Sequence, residues 1–268
     1  MRLIVTVVFS VILFSIQGQP SAIRKLRDVT LPTEVIQIGV DRLGNGYVLG
    51  ADRLLKLSTE GEILSERKFE SSTEIKSLDC WNPLRLWLHR VSGGTHFIEL
   101  LDQKLLNAEE PLRIDPAYAI EPIATAPGIL NSNFWILDSD NTLKFIQADK
   151  KLVEWESEPI AAPSVNFMMI KSYQGFIYLL DASGILYTVN RMGKLVRKID
   201  TNGAHHFGVL GEDIYFLSNG KIRFENMYRE SSYEVELPTA ADHILATDER
   251  LMIFKKNHVQ VFTFKPGS

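Results

Sequence analysis

Three features of the chain predict an all-β fold, a six-bladed β-propeller whose last blade is closed by the N-terminal strand. A pattern about forty residues long recurs six times after the N-terminal segment of the 268-residue sequence. Five of the six units carry an aromatic at the same point of their second strand. The last unit stops one strand short, and a segment near the N-terminus resembles the missing strand. Self-similarity at this period, with short strands and Gly, Asn and Asp turns, marks a propeller.

The clearest units run from Val35 to Phe69 and from Phe167 to Ile199, each reading as four short strands. Aligning the six on their second strand brings Tyr47, Trp87, Trp135, Tyr178, Tyr215 and Met252 into register. A large flat side chain at that position suits the wedge between neighbouring blades. The turns keep the same register. Leu43-Gly44-Asn45-Gly46, Tyr173-Gln174-Gly175 and Leu210-Gly211-Glu212 fall between first and second strands. Ser58-Thr59-Glu60-Gly61 and Asn190-Arg191-Met192-Gly193 fall between third and fourth. Gly and Asn tolerate the positive φ of tight hairpins. The strands between them, such as Phe176 to Leu180, are apolar on both faces, as burial between two neighbours requires. No long segment has a helical 3.6 period.

The sixth unit has strands at His243 to Thr247, Arg250 to Phe254 and His258 to Phe264. Ile23 to Leu31 resembles the fourth strands of other units. Pairing it with the sixth unit would close the ring and leave no open sheet edge. Ahead of it, Met1-Arg2 and the apolar run Leu3 to Ile16 read as an export signal, with cleavage expected after Gly18. The run is shorter than the ~20 apolar residues of an ordinary membrane span. No Cys stands directly after it, which argues against a lipid-anchored lipoprotein. The expected organisation is a signal peptide over residues 1–18 and one propeller domain over residues 19–268, not membrane-spanning once the signal is removed.

Composition narrows the function. The formal net charge is −4, with 29 basic and 33 acidic residues, which gives no support for nucleic-acid binding. The lone Cys80 has no intramolecular disulfide partner and reads as a small buried hydrophobe. No Asn-x-Ser/Thr glycosylation site occurs.

The candidates for chemistry are weak. Asp138-Ser139-Asp140-Asn141-Thr142 resembles the start of a calcium loop, but Leu143 stands where the loop needs Gly and Asp149 where it needs Glu. It reads as a hairpin turn, like Asp181-Ala182-Ser183-Gly184. His205, His206 and His243 fall near first strands, which line a propeller's channel, so they can approach one another. Adjacent strand residues point to opposite faces, however, so His205 and His206 do not both face inward without a bulge, and the three read as channel-mouth surface residues. Asp41, Asp79 and Asp242, at first-strand ends, are the carboxylates a channel-mouth hydrolase would use. No Gly-x-Ser-x-Gly elbow and no phosphate-binding loop before a helix is present. The expectation is therefore no catalytic residues, no cofactor and no metal.

Gly44-Asn45-Gly46-Tyr47-Val48, Leu54 to Leu57 and Glu60-Gly61 resemble the repeat of NHL-type and related six-bladed propellers. Asp79-Cys80-Trp81-Asn82-Pro83-Leu84-Arg85 followed by Phe97 to Leu105 is similar to an exported propeller family of Bacteroidota, with Arg85 in place of that family's Lys. The plug subunit at the periplasmic mouth of the type 9 secretion translocon is of this general kind. The resemblance implies a periplasmic, non-enzymatic module, peripheral at the outer membrane, that occludes or scaffolds an envelope partner such as an outer-membrane translocon. It carries over no catalytic residues. Aromatic and Arg side chains on loops would concentrate the binding energy. Trp81, Arg90, Trp155, Tyr173 and Tyr228 are the loop candidates. The alternatives are a carbohydrate-active or other channel-mouth propeller enzyme, and a small-ligand or metal sensor.

Overall fold

A computed structural model describes residues 23–129 and 132–266; the expected export signal lies outside them. They form β-strands, turns and connecting segments, with no helix among them. Strand β1 (Lys25–Thr30) comes first. Blade one is β2 (Gln37–Val40), β3 (Gly46–Leu49), β4 (Arg53–Leu57) and β5 (Ile63–Lys68). Blade two is β6 (Thr73–Asp79), β7 (Leu86–Ser92), β8 (Thr95–Leu101) and β9 (Leu112–Arg113). Blade three is β10 (Pro122–Pro127), β11 (Asn133–Asp138), β12 (Leu143–Gln147) and β13 (Leu152–Glu156). Blade four is β14 (Phe167–Tyr173), β15 (Phe176–Asp181), β16 (Ile185–Asn190) and β17 (Leu195–Asp200). Blade five is β18 (Phe207–Leu210), β19 (Asp213–Ser218), β20 (Lys221–Asn226) and β21 (Ser232–Glu236). Blade six is β22 (His243–Ala246), β23 (Arg250–Lys255) and β24 (His258–Thr263), completed by β1.

All six sheets are four-stranded antiparallel meanders, and the sixth has the order β1-β24-β23-β22. β1 pairs with β24 from Lys25 opposite Phe262 to Thr30 opposite His258, with a bulge after Lys25. Backbone bonds continue the ladder beyond it, from Leu31 N to Asn257 O at 2.7 Å and from Thr263 N to Arg24 O at 2.8 Å. The ring is closed by the two ends of the described chain, as the incomplete sixth unit predicts.

The core lies between blades. Each second-strand residue aligned in the sequence is buried and belongs to a cluster with the following blade. Tyr47 packs with Leu78, Cys80 and Leu88 of blade two. Trp87 packs with Phe134 and Ile136 of blade three, and Trp135 with Ile177 and Leu179 of blade four. Tyr178 packs with Phe207 and Phe216 of blade five, and Tyr215 with Ile244 and Ile253 of blade six. Met252 completes the circle against Ile38, Val48 and Leu55 of blade one. A flat side chain at this point fills the wedge that opens between two twisted sheets.

Fourth strands form the rim and face water, and several alternate exposed and half-buried residues. β13 and β21 both show this period of two. Inner strands are buried on both faces, as in β11, where every residue is buried.

The strand order divides the ring into two faces. Turns from first to second strands and from third to fourth strands lie on one, the hairpin face. Turns from second to third strands and the passages between blades lie on the other, the crossover face. The hairpin turns converge in space: Arg42 N donates to Trp81 O at 3.2 Å, and Tyr173 OH donates to Gly211 O at 3.0 Å.

Candidate functional site

Polar residues at the strand ends are consumed by the turns they create. Asp41, just after β2, accepts from the backbone N–H of Leu43 and Asn45, each at 2.9 Å, and from Tyr47 OH at 3.0 Å. Asp181 caps its turn through Ser183 N and Ile185 N. These are side-chain-capped turns, in which a carboxylate replaces a backbone acceptor. Burial alone pushes the Asp138 carboxyl up. The Lys144 ammonium at 2.7 Å and the N–H groups of Glu121, Ile120 and Ser139 outweigh burial and hold it below its ordinary value. Asn141 sits at φ 64° and donates to Ala162 O and Val165 O. The segment that resembles a calcium loop is thus the hairpin between β11 and β12, with both Asp138 oxygens and Asp140 Oδ1 already engaged.

Two polar contacts cross the central channel. Lys171 on β14 reaches Asp79 on β6, Nζ to Oδ2 at 3.4 Å, joining blade four to blade two. His206 donates from Nε2 to Ile38 O at 3.2 Å, joining blade five to blade one. Its ring centroid lies 6.4 Å from that of His243. Burial, with His243 and Lys171 beside it, holds the His206 imidazole down at about 3, so it is neutral at ordinary pH. Burial also lowers His243. Reading these two as surface residues therefore needs correction: they are half-buried inside the ring, while His205 is exposed.

The three carboxylates proposed for channel-mouth chemistry do not converge. Asp41 and Asp79 stand at the hairpin end of their first strands. Asp242 stands at the opposite end, just before β22, where it accepts from Lys256 N at 2.9 Å. Among the described residues no three His, Cys, Asp or Glu side chains gather closely enough to hold a metal ion. Cys80 is buried, and burial drives its thiol well above the ordinary value.

The hairpin face is contoured. A cavity of about 450 Å³ opens at the channel mouth, lined by Arg42, Leu43, Trp81, Tyr173, Thr247 and Arg250 among others. A smaller one of about 200 Å³ lies beside it between Asn82, Arg85, Pro127 and Ile129. A third, of about 400 Å³, separates blades three and four. Large apolar side chains also concentrate here. Leu43, Leu84, Leu106, Ile129, Met192 and Tyr228 are exposed on turns of this face, against Ile36 and Ile120 on the crossover face.

The five residues expected on loops fall into two groups. Trp81 lies on a hairpin-face loop with its ring edge against Tyr173, centroids 5.2 Å apart. Tyr228 lies on the turn between β20 and β21, with its hydroxyl bonded to Gln174 Oε1. The other three are on strands, which corrects the loop assignment. Tyr173 ends β14 and is buried to 9% exposure. Arg90 is on β7, where Glu99 holds it at 2.5 Å and its guanidinium covers Phe97. Trp155 is on β13 and stacks edge-on against Trp135, centroids 6.0 Å apart. Trp81 and Tyr173 line the channel-mouth cavity, and Gln174 bonds to both Tyr173 and Tyr228. Arg90 and Trp155 do not join them.

Comparison with protein-family models gives no match. Comparison with curated proteins gives none either. Among solved structures, the Neurospora crassa Pan2 WD40 domain superposes with a TM-score of 0.58 at 8% identity, over 92% of this chain and 96% of that one. BamB from Moraxella catarrhalis gives a TM-score of 0.48 at 9% identity, over 91% and 100%. At such identity the first likeness establishes the propeller fold and nothing about activity. No helix among the described residues is long and apolar enough to cross a membrane.

Proposed function

We propose that this protein is a non-enzymatic interaction module that docks a protein partner on its hairpin face. The observation that carries the reading is the asymmetry of exposed apolar side chains on turns among the described residues, six on that face against two on the other. Single exposed apolar residues are ordinary, but a set gathered on one face around clefts is how interaction surfaces look. The inter-blade clusters make the ring a rigid platform, so little ordering entropy is lost on docking. The polar groups at the strand ends are occupied in turns and channel contacts, which supports binding over turnover.

The finer reading follows the sequence. Residues 1–18 direct export, and residues 19–268 act in the periplasm as a subunit of an outer-membrane or secretion complex. The role there is occlusion or scaffolding, of the kind the resemblance to the type 9 translocon plug implies. Affinity purification from detergent-solubilised outer membrane tests this. The protein should co-purify with larger envelope proteins in fixed ratio and survive moderate salt. Elution only as a free monomer from the periplasmic fraction, or cleavage of a glycan or ester in an activity screen, would contradict it.

A further inference from the structure

The cleft between blades three and four has a build unlike the other cavities. Its apolar walls are Trp135, Phe145, Trp155 and Ile177. Trp135 lies 4.6 Å from Phe145 and 6.0 Å from Trp155, centroid to centroid, so three rings form one aromatic corner. The corner is locked by two glycines of blade four. The six-membered edge of Trp155 occupies the place where a side chain on Gly193 would begin, 1.8 Å from its ideal Cβ position. The guanidinium of Arg191 lies over Gly175 in the same way, its Nε 2.8 Å from that glycine's ideal Cβ position. Both glycines have positive φ, 68° and 83°, so no other residue combines this turn with this close approach.

One cation and one carboxylate line the cleft, and they differ in their partners. Arg191 is exposed and has no ion pair or hydrogen bond among the described residues. The acidic group on the rim, Glu154, already accepts from Gln147 Nε2. Neither indole N–H of Trp135 and Trp155 has a hydrogen-bond partner among the described residues, and neither is sealed from solvent. The cleft therefore offers an apolar aromatic wall and one guanidinium without an ion pair among the described residues, with the Glu154 carboxylate at its rim bonded to Gln147. That set is complementary to an apolar side chain with an anion beside it.

We infer that this cleft is an anchoring pocket for a protein partner, taking a segment in which a large aromatic side chain stands next to a carboxylate. The inference rests on reading the protein as an interaction module and deepens it by naming the chemistry the partner presents. The aromatic ring packs against Trp135, Phe145 and Trp155, where ring pairs add to the burial of area. The neighbouring carboxylate meets Arg191, whose fork matches it in a bidentate pair. At about 400 Å³ the cleft is at the small end of binding pockets and holds one anchor and its neighbour rather than a whole fold.

The side-chain indole N–H signals of the four tryptophans give a direct readout. The purified protein is titrated with three probe peptides, acetyl-Gly-Asp-Phe-Gly-amide and its Asn-Phe and Lys-Phe counterparts. The Asp-Phe peptide should shift the Trp135 and Trp155 indole signals and leave Trp87 in place. It should bind about tenfold more tightly than the Asn-Phe peptide, the worth of one charge-assisted pair. Arg191→Gln should remove that difference while leaving the spectrum of the folded protein unchanged elsewhere. Tighter binding of the Lys-Phe peptide would make the cleft a cation cage and overturn the inference. So would an Asp preference that survives Arg191→Gln, or titrations that leave both cleft indoles unmoved. A parallel membrane purification with Arg191→Glu separates this from the broader reading. Loss of the partner from the variant alone supports the cleft. Equal recovery with both proteins overturns the cleft and leaves the interaction reading standing. No partner with the unaltered protein defeats the interaction reading, and the peptide result then stands by itself.

Discussion

The junction that closes the ring and the junction next to it are held by different physics. Between blades six and one the contact is apolar: Leu31, Ile38, Leu55, Met252, Phe254 and Val259 form one cluster. β1 adds a backbone ladder but few buried side chains, and its ion pairs, Lys25 with Asp28 and Arg27 with Glu62, are exposed. Among the described residues no buried ion pair crosses this junction. Between blades one and two, Arg67 of β5 reaches Glu99 of β8 at 2.6 Å, and Arg90 of β7 grips the other oxygen at 2.5 Å. Glu99 is 3% exposed. The same device returns between blades four and five, where Arg197 of β17 meets Glu225 of β20 at 2.8 Å.

The contrast teaches how a ring of repeats closes. Adjacent blades are tied by a short connection, so directional buried charges meet at little entropic cost. β1 and β24 meet across most of the sequence, which costs more loop entropy. An apolar seam with backbone pairing is non-directional and tolerates the docking of distant ends, whereas a misaligned buried charge would be penalised heavily.

The largest expected effect follows from cutting the seam. Deleting residues 23–31 removes β1, exposes the edge of β24 and uncovers Leu31 and its neighbours. Losing two buried apolar side chains costs about 3–6 kcal/mol, comparable with a domain's net stability. The urea midpoint should fall by a large fraction or the transition should lose its cooperativity. An unchanged midpoint would mean that the seam does not close the ring.

Breaking the clasp should cost less but still much. Glu99→Ala leaves the Arg67 and Arg90 guanidiniums facing each other at a covered site, a loss of about 3 kcal/mol. Arg27→Ala in the seam removes only an exposed pair and should change stability by less than about 1 kcal/mol. Equal effects in chemical denaturation would erase the contrast between the two junctions.

A smaller, pH-dependent effect belongs to the interior. Burial, with His96 and Lys76 nearby, holds His89 at about 3, and His206 is held there too. The unfolded chain binds a proton at each near pH 6.5, so it gains protons that the folded chain refuses. Stability from these groups is full above about pH 6.5 and is lost progressively as pH falls towards 3. His89→Leu should flatten that slope, as read from urea midpoints between those limits. An unaltered slope would remove His89 from the account.

The smallest effect separates two tyrosines at equivalent positions. Tyr47 OH donates to Asp41, whereas the buried Tyr178 OH has no partner among the described residues. Tyr178→Phe should be neutral or stabilising by up to about 1 kcal/mol, and Tyr47→Phe destabilising by a similar amount. Thermal unfolding of the two variants distinguishes them.

The architecture was legible because each blade repeats the same local problem. A turn needs Gly, Asn or a capping Asp, and the wedge needs one large side chain, so both signals recur at a fixed period. Closure was legible because a missing fourth strand leaves a gap that only Ile23 to Leu31 fills. Side-chain destinations were harder to read. His206 precedes its strand and turns inward to Ile38, which no period-two pattern encodes. Arg90 looks like a loop anchor in sequence but lies on a strand held by Glu99. The cleft between blades three and four left the faintest trace. Trp135, Trp155 and Arg191 come from a second strand, an outer strand and the next blade's turn, and only the ring brings them together. Trp155 stands out in the sequence only as an aromatic, because its corner with Trp135 and Phe145 depends on the space that Gly193 leaves for its ring.

The face asymmetry is the central claim, and site-specific photocrosslinking in the native cell envelope tests it most directly. A photoreactive residue replaces, one at a time, Leu43, Leu84 and Tyr228 on the hairpin face and Ile36 and Ile120 on the crossover face. The account predicts crosslinks to a larger envelope protein from the first three positions and none from the last two. Crosslinks from Ile36 and Ile120 alone, or from no position at all, would contradict it.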